Sequence, residues 1–241
     1  MVAVLSILSG VFLFIGLVIN ERNAPYLLSG YNTLSDKEKA QFELIPFLHF
    51  FKQSHLFLAI STFFVGLYLY WKFPGDAPFY WLVFYPLFFY MYILWVGQKF
   101  YSKGTQKPLA YFIGMVVLIL TILGIGGGMY YANQPNTMRI EMDRIDISGV
   151  YGGTLIRSKT RTILVDSLPQ LRRRVNGIAT HQLKKGYFLT ATRKKIKLLK
   201  DGEQGSFILF QQQGDAPLYY FIPENIEREV IQSLKKKHWL Q

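Results

Sequence analysis

The side chains of this sequence that could do chemistry are mostly basic. Lysines and arginines form clusters at Arg172–Arg174, Lys184–Lys185, Arg193–Lys197 and Lys235–Lys237. Near a bilayer, each such group contributes about 1 kcal/mol of attraction to anionic headgroups. The pattern indicates either a surface that binds anionic lipid or an acidic partner, or a solvated basic face. The candidate interaction residues are Arg172, Arg174, Lys184, Lys185, Arg193 and Lys194.

The first cluster lies between Leu168-Pro169 and the turn at Asn176-Gly177. If it is a strand, Arg172 and Arg174 project from one face and Arg173 from the other, because side chains alternate. Burying one arginine costs less than burying two. We therefore expect Arg173 to be buried beside a partner such as Asp166, and Arg172 and Arg174 to be free for binding.

Groups for hydrolytic catalysis are missing from the sequence. There is no cysteine, the carboxylates are few and scattered, and no serine lies in a nucleophile-elbow context. Asp143, Asp146 and Asp166 alternate with apolar residues, as solvent-facing positions of strands do. We expect no catalytic residues and a protein that is not an enzyme.

Metal and cofactor sites are not indicated either. His49 and His55 are six residues apart, which places them far apart around a helix, so we expect both to be solvated at the membrane interface. The glycine-rich run 124–128 ends an apolar stretch and is not followed by Lys-Ser or Lys-Thr, so it does not match a phosphate loop. The run either allows close helix packing or forms a flexible joint. We expect no metal and no cofactor.

Hydropathy divides the chain into a membrane part and a polar part. Hydrophobic residues make up 51% of the 241 residues and charged residues 17%, against about 25% charged in soluble domains. Four apolar stretches, at about 2–19, 54–71, 79–96 and 109–131, approach the ~20 residues that span a bilayer. They predict a transmembrane domain over residues 1–136. A cleaved signal peptide is the alternative for the first stretch, but no basic residue precedes Glu21.

The basic residues beside these stretches predict their orientation. The first and third loops carry seven lysines and arginines and the second carries only Lys72; the seven are Arg22, Lys37, Lys39, Lys52, Lys99, Lys103 and Lys107. Positive loops stay in the cytoplasm. With four spans, both termini and the C-terminal domain are then extracytoplasmic.

The first loop contains two local signals. Ser35 followed by Glu38 is a capping box, which predicts a short helix from Asp36 to about Leu44. Before it, Tyr31 and Asn32 form a turn-like centre in which Asn32 can bond its own backbone. This turn is either a structural corner or a contact for a partner membrane protein.

Residues 137–241 are predicted to form a small all-β domain. Apolar residues alternate with polar ones in about seven short runs, which is the period of half-buried strands. After Pro223 the period becomes helical, with an apolar stripe at Ile226, Val230, Ile231 and Leu234. We expect one amphipathic C-terminal helix to pack on the sheet, with Ile231 buried.

Two resemblances follow from particular residues. The run Ile145–Gly152, with Val165–Pro169, Arg174–Gly177 and Lys185–Phe188, resembles the bacterial pleckstrin-homology-like domains attached to small membrane proteins. The segment Gly30-Tyr31-Asn32-Thr33 is similar to a segment of an uncharacterised family of bacterial membrane proteins. The first resemblance implies a barrel of about seven strands closed by a helix. Neither resemblance implies catalytic residues.

These observations favour an integral protein of the bacterial inner membrane. We expect a non-enzymatic anchor that displays a pleckstrin-homology-like interaction module, as an accessory subunit of a larger membrane complex. The alternative is a regulator that binds or senses anionic lipid. The net charge is +12, and 19 of the 27 basic residues follow Asn136, but an extracytoplasmic membrane-anchored domain does not suit nucleic acid. The expected partners are membrane lipids and a partner membrane protein.

Overall fold

The computed structural model describes residues 1–28, 31–32, 34–73, 75–101, 109–180 and 183–240, apart from the side chain of Ala110. Two compact units divide the chain, Met1–Gly126 and Gly127–Gln241. The first is helical and the second consists mainly of β-sheet.

The helical unit contains long apolar helices joined by short segments. Its helices are α1 (Val2–Val18), α2 (Ala24–Leu27), α3 (Asp36–Ala40), α4 (Leu44–Lys72), α5 (Ala77–Gly97) and α6 (Leu109–Asn133). Three segments are long and apolar enough to cross a membrane: Leu44–Lys72, Ala77–Phe100 and Tyr111–Asn133. These helices identify a membrane protein. Helix α1 has 17 residues, the lower end of the length that spans a bilayer, so its crossing stays a prediction.

Helix α4 begins ten residues earlier than the apolar stretch predicted. Pro46 lies in its first turn, where a missing N–H breaks no helical hydrogen bond, so the helix can begin at Leu44. Lys52 consequently lies inside the helix rather than in the first loop. Lys103 and Lys107, which also enter the charge count, lie outside the described residues.

Helices α1 and α4 pack closely through two glycines. A Cβ at Gly66 would lie 2.3 Å from the Leu5 Cδ2 atom, and one at Gly16 would lie 2.6 Å from the His55 Cβ atom. The buried positions of α1 recur every three or four residues along one side of the helix: Leu5, Ser9, Phe12 and Gly16. Small residues let membrane helices approach in this way.

The capping box is confirmed at the start of α3. The Ser35 hydroxyl accepts a hydrogen bond from the Glu38 backbone N–H, and the Glu38 carboxylate accepts one from the Ser35 backbone N–H at 2.8 Å. The hydrogen bonds from Ser35 lower the pKa of Glu38. The helix ends at Ala40, four residues before the expected end, and a β-bridge pairs Phe42 with Tyr101.

The β-rich unit holds nine described strands in two sheets. The first sheet contains β1 (Met138–Ile140), β2 (Arg144–Ile147) and β3 (Gly153–Ile156). The second contains β4 (Thr160–Val165), β5 (Leu171–Ala179), β6 (Leu183–Thr190), β7 (Lys195–Asp201), β8 (Gly205–Gln212) and β9 (Leu218–Pro223). Its order is β4-β8-β9-β7-β6-β5.

This topology differs from the expected barrel of about seven strands. Strand β9 lies between β7 and β8 and pairs in parallel with β7, which breaks the order of a meander. Among the strands described, no pairing joins the two edge strands β4 and β5, so the sheet is open. The hydrophobic core lies between the two sheets, where Ile145 and Leu155 meet Ile208 and Phe210.

Strand β5 lacks the alternating pattern that identifies other strands. Its pairing with β6 shifts register twice, between Leu171 and Arg173 and between Arg174 and Asn176. Bulges of this kind turn consecutive side chains toward the same side. Five consecutive residues, from Arg172 to Asn176, are exposed.

The C-terminal helix α7 (Glu227–Lys236) packs on the core through residues partly different from those expected. Leu234 is fully buried and Val230 packs beside it, whereas Ile226 is exposed and Ile231 is only half-buried. Trp239, just beyond the helix, supplies the remaining contact: its ring is buried and its indole N–H donates to the Glu141 carbonyl at 2.7 Å. The expected burial of Ile231 is therefore wrong.

Candidate functional site

A cavity of about 310 Å³ lies within the helical unit. Its walls come from the end of α1, the first half of α4 and the second half of α5. Seven further residues complete the described lining: Leu27, Leu28, Tyr31, Leu34, Phe42, Tyr101 and Tyr111. From Phe47 to His55 along α4 the cavity extends over eight residues, about 12 Å at 1.5 Å per residue. Small-molecule sites in proteins have similar volumes and similarly apolar walls.

Phe and Tyr side chains and Ile and Leu side chains contribute equally to the described lining, seven residues each, beside His55. Phe42 lies at the centre of a group of packed rings, with centroids 5.6 Å from Tyr31, 5.1 Å from Phe47 and 4.8 Å from Tyr101. None of the lining residues is Asp, Glu, Lys or Arg. A charged ligand would find no counter-ion here, and desolvating its charge would be costly.

His55 and Tyr90 form the polar group at the inner end of the cavity. The His55 side chain is fully buried, with Nδ1 2.9 Å from the Phe51 carbonyl oxygen and Nε2 3.2 Å from the Tyr90 hydroxyl. A carbonyl oxygen can only accept, so Nδ1 carries a proton, and in the neutral imidazole Nε2 then accepts from the Tyr90 hydroxyl. His55 is thus a buried, hydrogen-bonded side chain, and the expectation of a solvated interfacial histidine is wrong. His49 is exposed, and its place at the interface stays a prediction.

A second polar group lies at the other end of the cavity. The rings of Tyr101 and Tyr111 meet edge to face at 5.6 Å. Burial raises the pKa of Tyr101, and the neighbouring Tyr111 raises it further. Tyr101 therefore stays protonated and can take part in hydrogen bonds as a neutral phenol.

The two candidate residues of the first loop have different surroundings. Tyr31 is half-buried and lines the cavity, whereas Asn32 is exposed and its backbone N–H donates to the Leu28 carbonyl at 3.1 Å. The Nζ atom of Lys39 lies 6.0 Å from the centre of the Tyr31 ring. Gly30 and Thr33 of the same motif lie outside the described residues. Tyr31 thus belongs to the wall of a pocket, and only Asn32 faces outward.

The basic candidates of the β-rich unit divide between three environments. The start of β5 and the turn between β6 and β7 meet where Leu171 pairs with Thr190 and the Ala191 N–H donates to the Gln170 carbonyl. This brings together a cluster that we call the basic end: Arg172, Arg173, Arg174, Arg193 and Lys194. All five are exposed, and within the described part of the chain none forms an ion pair with a carboxylate.

Arg173 does not have the expected buried position. It is exposed like its two neighbours. The reason is the pair of register shifts in β5, which cancels the alternation that would have turned Arg173 inward. All three arginines are therefore available at the surface.

Lys184 and Lys185 lie away from the basic end. Lys184 pairs with Ala179 and Lys200 at the opposite end of β6. Lys185 is 0% exposed; its Nζ atom donates to the Gln134 carbonyl at 2.6 Å and lies 3.9 Å from the Asp201 carboxylate. Its place among the surface interaction residues is therefore wrong, because it belongs to the core.

Lys185 is part of a polar network around residues 134–136. The Asn136 N–H donates to Asp201 at 3.2 Å, the Asn136 amide donates to the Ser148 and Val150 carbonyls, and the Tyr220 hydroxyl donates to the Asn136 carbonyl at 2.6 Å. Burial lowers the pKa of Lys185 and raises that of Asp201. It also raises the pKa of Tyr220 to about 12. The network fastens the segment after α6 to the sheet.

Metal-binding clusters are not found: the described residues contain no group of three or more His, Asp or Glu side chains that could hold an ion. The glycines 124, 127 and 128 lie within helix α6, and a Cβ at any of them would meet nothing within 4 Å. Close packing of these glycines inside the described chain is therefore not the reason for the glycine-rich run.

The sequence patterns had no signal for the cavity. Its polar pair joins residues 35 positions apart, and the helices that carry them are apolar on all sides, so no amphipathic face marks the inner wall. The density of Phe and Tyr in α4 and α5 was the feature that could have indicated it, because aromatic rings commonly line binding pockets.

Comparison with known proteins gives one partial match. A family model described as a domain of unknown function, DUF3784, matches residues 6–101. No curated protein matches the chain. No solved structure matches it either. The match is consistent with the resemblance of the N-terminal part to an uncharacterised membrane-protein family, and all residues that line the cavity except Tyr111 lie within the matched segment.

Proposed function

We propose that this chain is a non-enzymatic integral membrane protein that presents its β-rich unit as an interaction module, as an accessory subunit of a larger membrane assembly. The basic end is the observation that carries this proposal. Five exposed cations lie together without a neutralising carboxylate in the described chain. Such a surface attracts an acidic partner and selects against basic ones.

The β-rich unit is, in this proposal, a divergent pleckstrin-homology-like domain. Antiparallel strands followed by one C-terminal amphipathic helix that packs on the core support this assignment. The parallel pairing of β7 with β9 and the open sheet are its differences from the expected barrel. The proposed location is the bacterial inner membrane, with the β-rich unit on the extracytoplasmic side.

Co-purification tests the role of the basic end. The tagged full-length protein is extracted in mild detergent, and the associated proteins are identified for the parent and for Arg172→Glu with Arg174→Glu. The proposal expects a specific partner that is lost from the double variant. The control is Lys235→Glu with Lys236→Glu, the same change of charge at exposed residues of α7, which retains the partner. A partner that the arginine double variant retains as well as the lysine control does would contradict the proposal.

The second candidate function is binding of anionic lipid by the same basic end. It is favoured because the cations belong to a chain that is anchored in a membrane, where two near-surface arginines contribute about 2 kcal/mol, roughly thirtyfold in affinity. The full-length protein in zwitterionic nanodiscs is mixed with phosphatidylglycerol vesicles. Binding that occurs at low salt and disappears at high salt favours the lipid function. No binding at any salt favours the protein partner.

A further inference from the structure

The cavity of the helical unit is a built pocket rather than a packing defect. Its volume of about 310 Å³ is roughly twice that of an engineered ~150 Å³ cavity that binds benzene. Phe and Tyr rings make up about half of its lining and Ile and Leu side chains most of the rest, and two polar groups, His55 with Tyr90 and Tyr101 with Tyr111, lie in its wall. An apolar pocket with few convergent polar groups is the usual form of a small-molecule site.

The lining indicates the shape and charge of the ligand. Flat rings pack well against the Phe42, Phe47 and Phe51 side chains, because aromatic groups prefer offset or edge-to-face contact. No side chain with a full charge lines the cavity, so an ionised ligand would lose its hydration without compensation. The geometry therefore favours an uncharged aromatic molecule of about two fused rings.

The hydrogen bonds at the inner end indicate its polar group. The Nδ1–H group of His55 is used by the Phe51 carbonyl, and Nε2 is used by the Tyr90 hydroxyl proton. The Tyr90 oxygen can still accept a hydrogen bond through its lone pairs. A ligand hydroxyl can donate to this oxygen without breaking the pair, whereas a ligand carbonyl would have to compete with His55 for the Tyr90 proton.

We propose that this cavity binds an uncharged aromatic ring that carries a hydroxyl group, with the hydroxyl donating to Tyr90. The site lies in the helical unit and is independent of the function proposed for the basic end. Tyr31 and Phe42, from the connection between α1 and α4, form part of the cavity wall.

The ring and its hydroxyl are tested separately. The full-length protein in detergent is titrated with 1-naphthol and with naphthalene, and the thermal midpoint and the binding heat are measured. We expect 1-naphthol to bind about fivefold more tightly, which is the effect of one neutral hydrogen bond. Tyr90→Phe alone would expose the His55 Nε2 atom as a new acceptor, so it is combined with His55→Leu. The double variant should bind both compounds with equal affinity, and an unchanged preference for 1-naphthol in it would overturn the assignment of the hydroxyl.

A filled cavity tests the location. Ile93→Trp, or Leu94→Phe if the first variant is not monodisperse, places a larger side chain in the cavity wall. Either variant should lose binding of both compounds. The matched control is Leu56→Trp, at an exposed position of α4 that does not line the cavity, and it should bind as the parent does. Parent protein that binds neither compound, or filled variants that bind both, would overturn the proposal.

Discussion

At the scale of single residues, the least expected group is Lys185. A buried ammonium is costly to desolvate, and this one is retained because Gln134 accepts its hydrogen bond and the Asp201 carboxylate lies 3.9 Å away. Burial lowers its pKa, and Asp201 offsets only part of that shift. Lys185 therefore acts in stability and in fastening residues 134–136, and not in binding.

Lys185→Met should destabilise the β-rich unit. The Gln134 carbonyl would lose its donor in a part-buried hydrogen bond and the Asp201 carboxylate would lose its cation, which together cost about 1 kcal/mol or more. Lys184→Met, the neighbouring and partly exposed lysine, is the control and should change the free energy of unfolding by less than about 0.5 kcal/mol. Thermal unfolding of the full-length variants in one detergent measures both. Equal midpoints for the two variants would refute a core role of Lys185.

Asp201 should make this stability depend on pH. Burial raises its folded pKa above the ordinary value of 3.8, so the folded state binds more protons than the unfolded state between the two values. The stability that this adds is fully present below pH 3.8 and is lost as pH rises through the raised folded pKa. The lowered pKa of Lys185 acts at the other end of the scale, where stability rises as pH approaches 10.5.

Asp201→Asn should remove the acidic part of this dependence. Unfolding midpoints of parent and variant are compared across the acidic range at constant ionic strength. The difference between variant and parent should grow in favour of the variant as pH rises through the folded pKa of Asp201. Parallel midpoints at every pH would mean that the carboxylate titrates alike in both states.

At the scale of elements, close contact between α1 and α4 decides how the helical unit packs. The pairs Leu5 with Gly66 and Gly16 with His55 give one antiparallel register, which puts Ser9 level with Thr62. Both hydroxyls are buried without a hydrogen-bond partner in the described chain. Packing of small residues therefore holds these helices together, and side-chain hydrogen bonds do not.

Gly16→Ala should loosen this pair of helices. The new Cβ would lie 2.6 Å from the His55 Cβ atom, which is fixed by its own helix, and overpacking costs about 1–3 kcal/mol. Gly10→Ala, on the same helix, places a Cβ where nothing lies within 4 Å and should leave the thermal midpoint unchanged or slightly higher. A lower midpoint for Gly10→Ala alone would contradict the packing described.

The end of α7 contains a second element-scale constraint. His238 has φ +59°, its N–H donates to the Lys235 carbonyl, and the Trp239 N–H donates to the Leu234 carbonyl. This is the Schellman arrangement, which usually has glycine at the left-handed position. It directs Trp239 into the core beside Leu234.

His238→Gly should raise the stability of the β-rich unit. Glycine avoids the cost of a left-handed non-glycine residue, about 1–2 kcal/mol, although its freer unfolded chain cancels part of the gain. We expect a net gain of about 0.5 kcal/mol in chemical denaturation of the full-length protein. His238→Val, which is more strained there, is the opposing control and should destabilise. A His238→Val variant that is more stable than His238→Gly would contradict this geometry.

At the scale of the whole molecule, the side on which the β-rich unit lies depends on the last three spans. The candidate spans α4, α5 and α6 separate the first loop, the second loop and the third loop whether or not α1 crosses. Lys52 lies within α4 and Lys72 is the last residue of that helix. The first and third loops keep six basic residues, compared with only Lys72 at the second loop. The span count of α1 therefore affects only the side of the N-terminus.

A reporter that is active only outside the cytoplasm tests this orientation. Fused after Gln241, where Trp239 keeps its place in the core, it should be active, because positively charged loops remain inside and α6 then leads outward. Fused within the third loop, after Thr105, it should be inactive. The reverse pattern would place the β-rich unit in the cytoplasm.

Local sequence patterns were sufficient to predict the long helices, the capping box and most strands. Apolar length predicted the helices that became α4, α5 and α6, the Ser35–Glu38 spacing predicted the capping box, and alternation predicted most strands. Each of these depends on contacts within a few residues, which are present in the sequence itself.

Contacts between residues far apart in the sequence decided which side chains are buried and how the strands are ordered. The bulges of β5 exposed Arg173, the pairing of β6 buried Lys185 beside Gln134, 51 positions away, and the packing of α4 on α5 joined His55 to Tyr90. The order of the strands depends on β9 entering between β7 and β8. Burial is a property of what lies opposite a residue, so only the tertiary structure could turn a predicted surface lysine into a core group and a predicted interfacial histidine into part of a cavity.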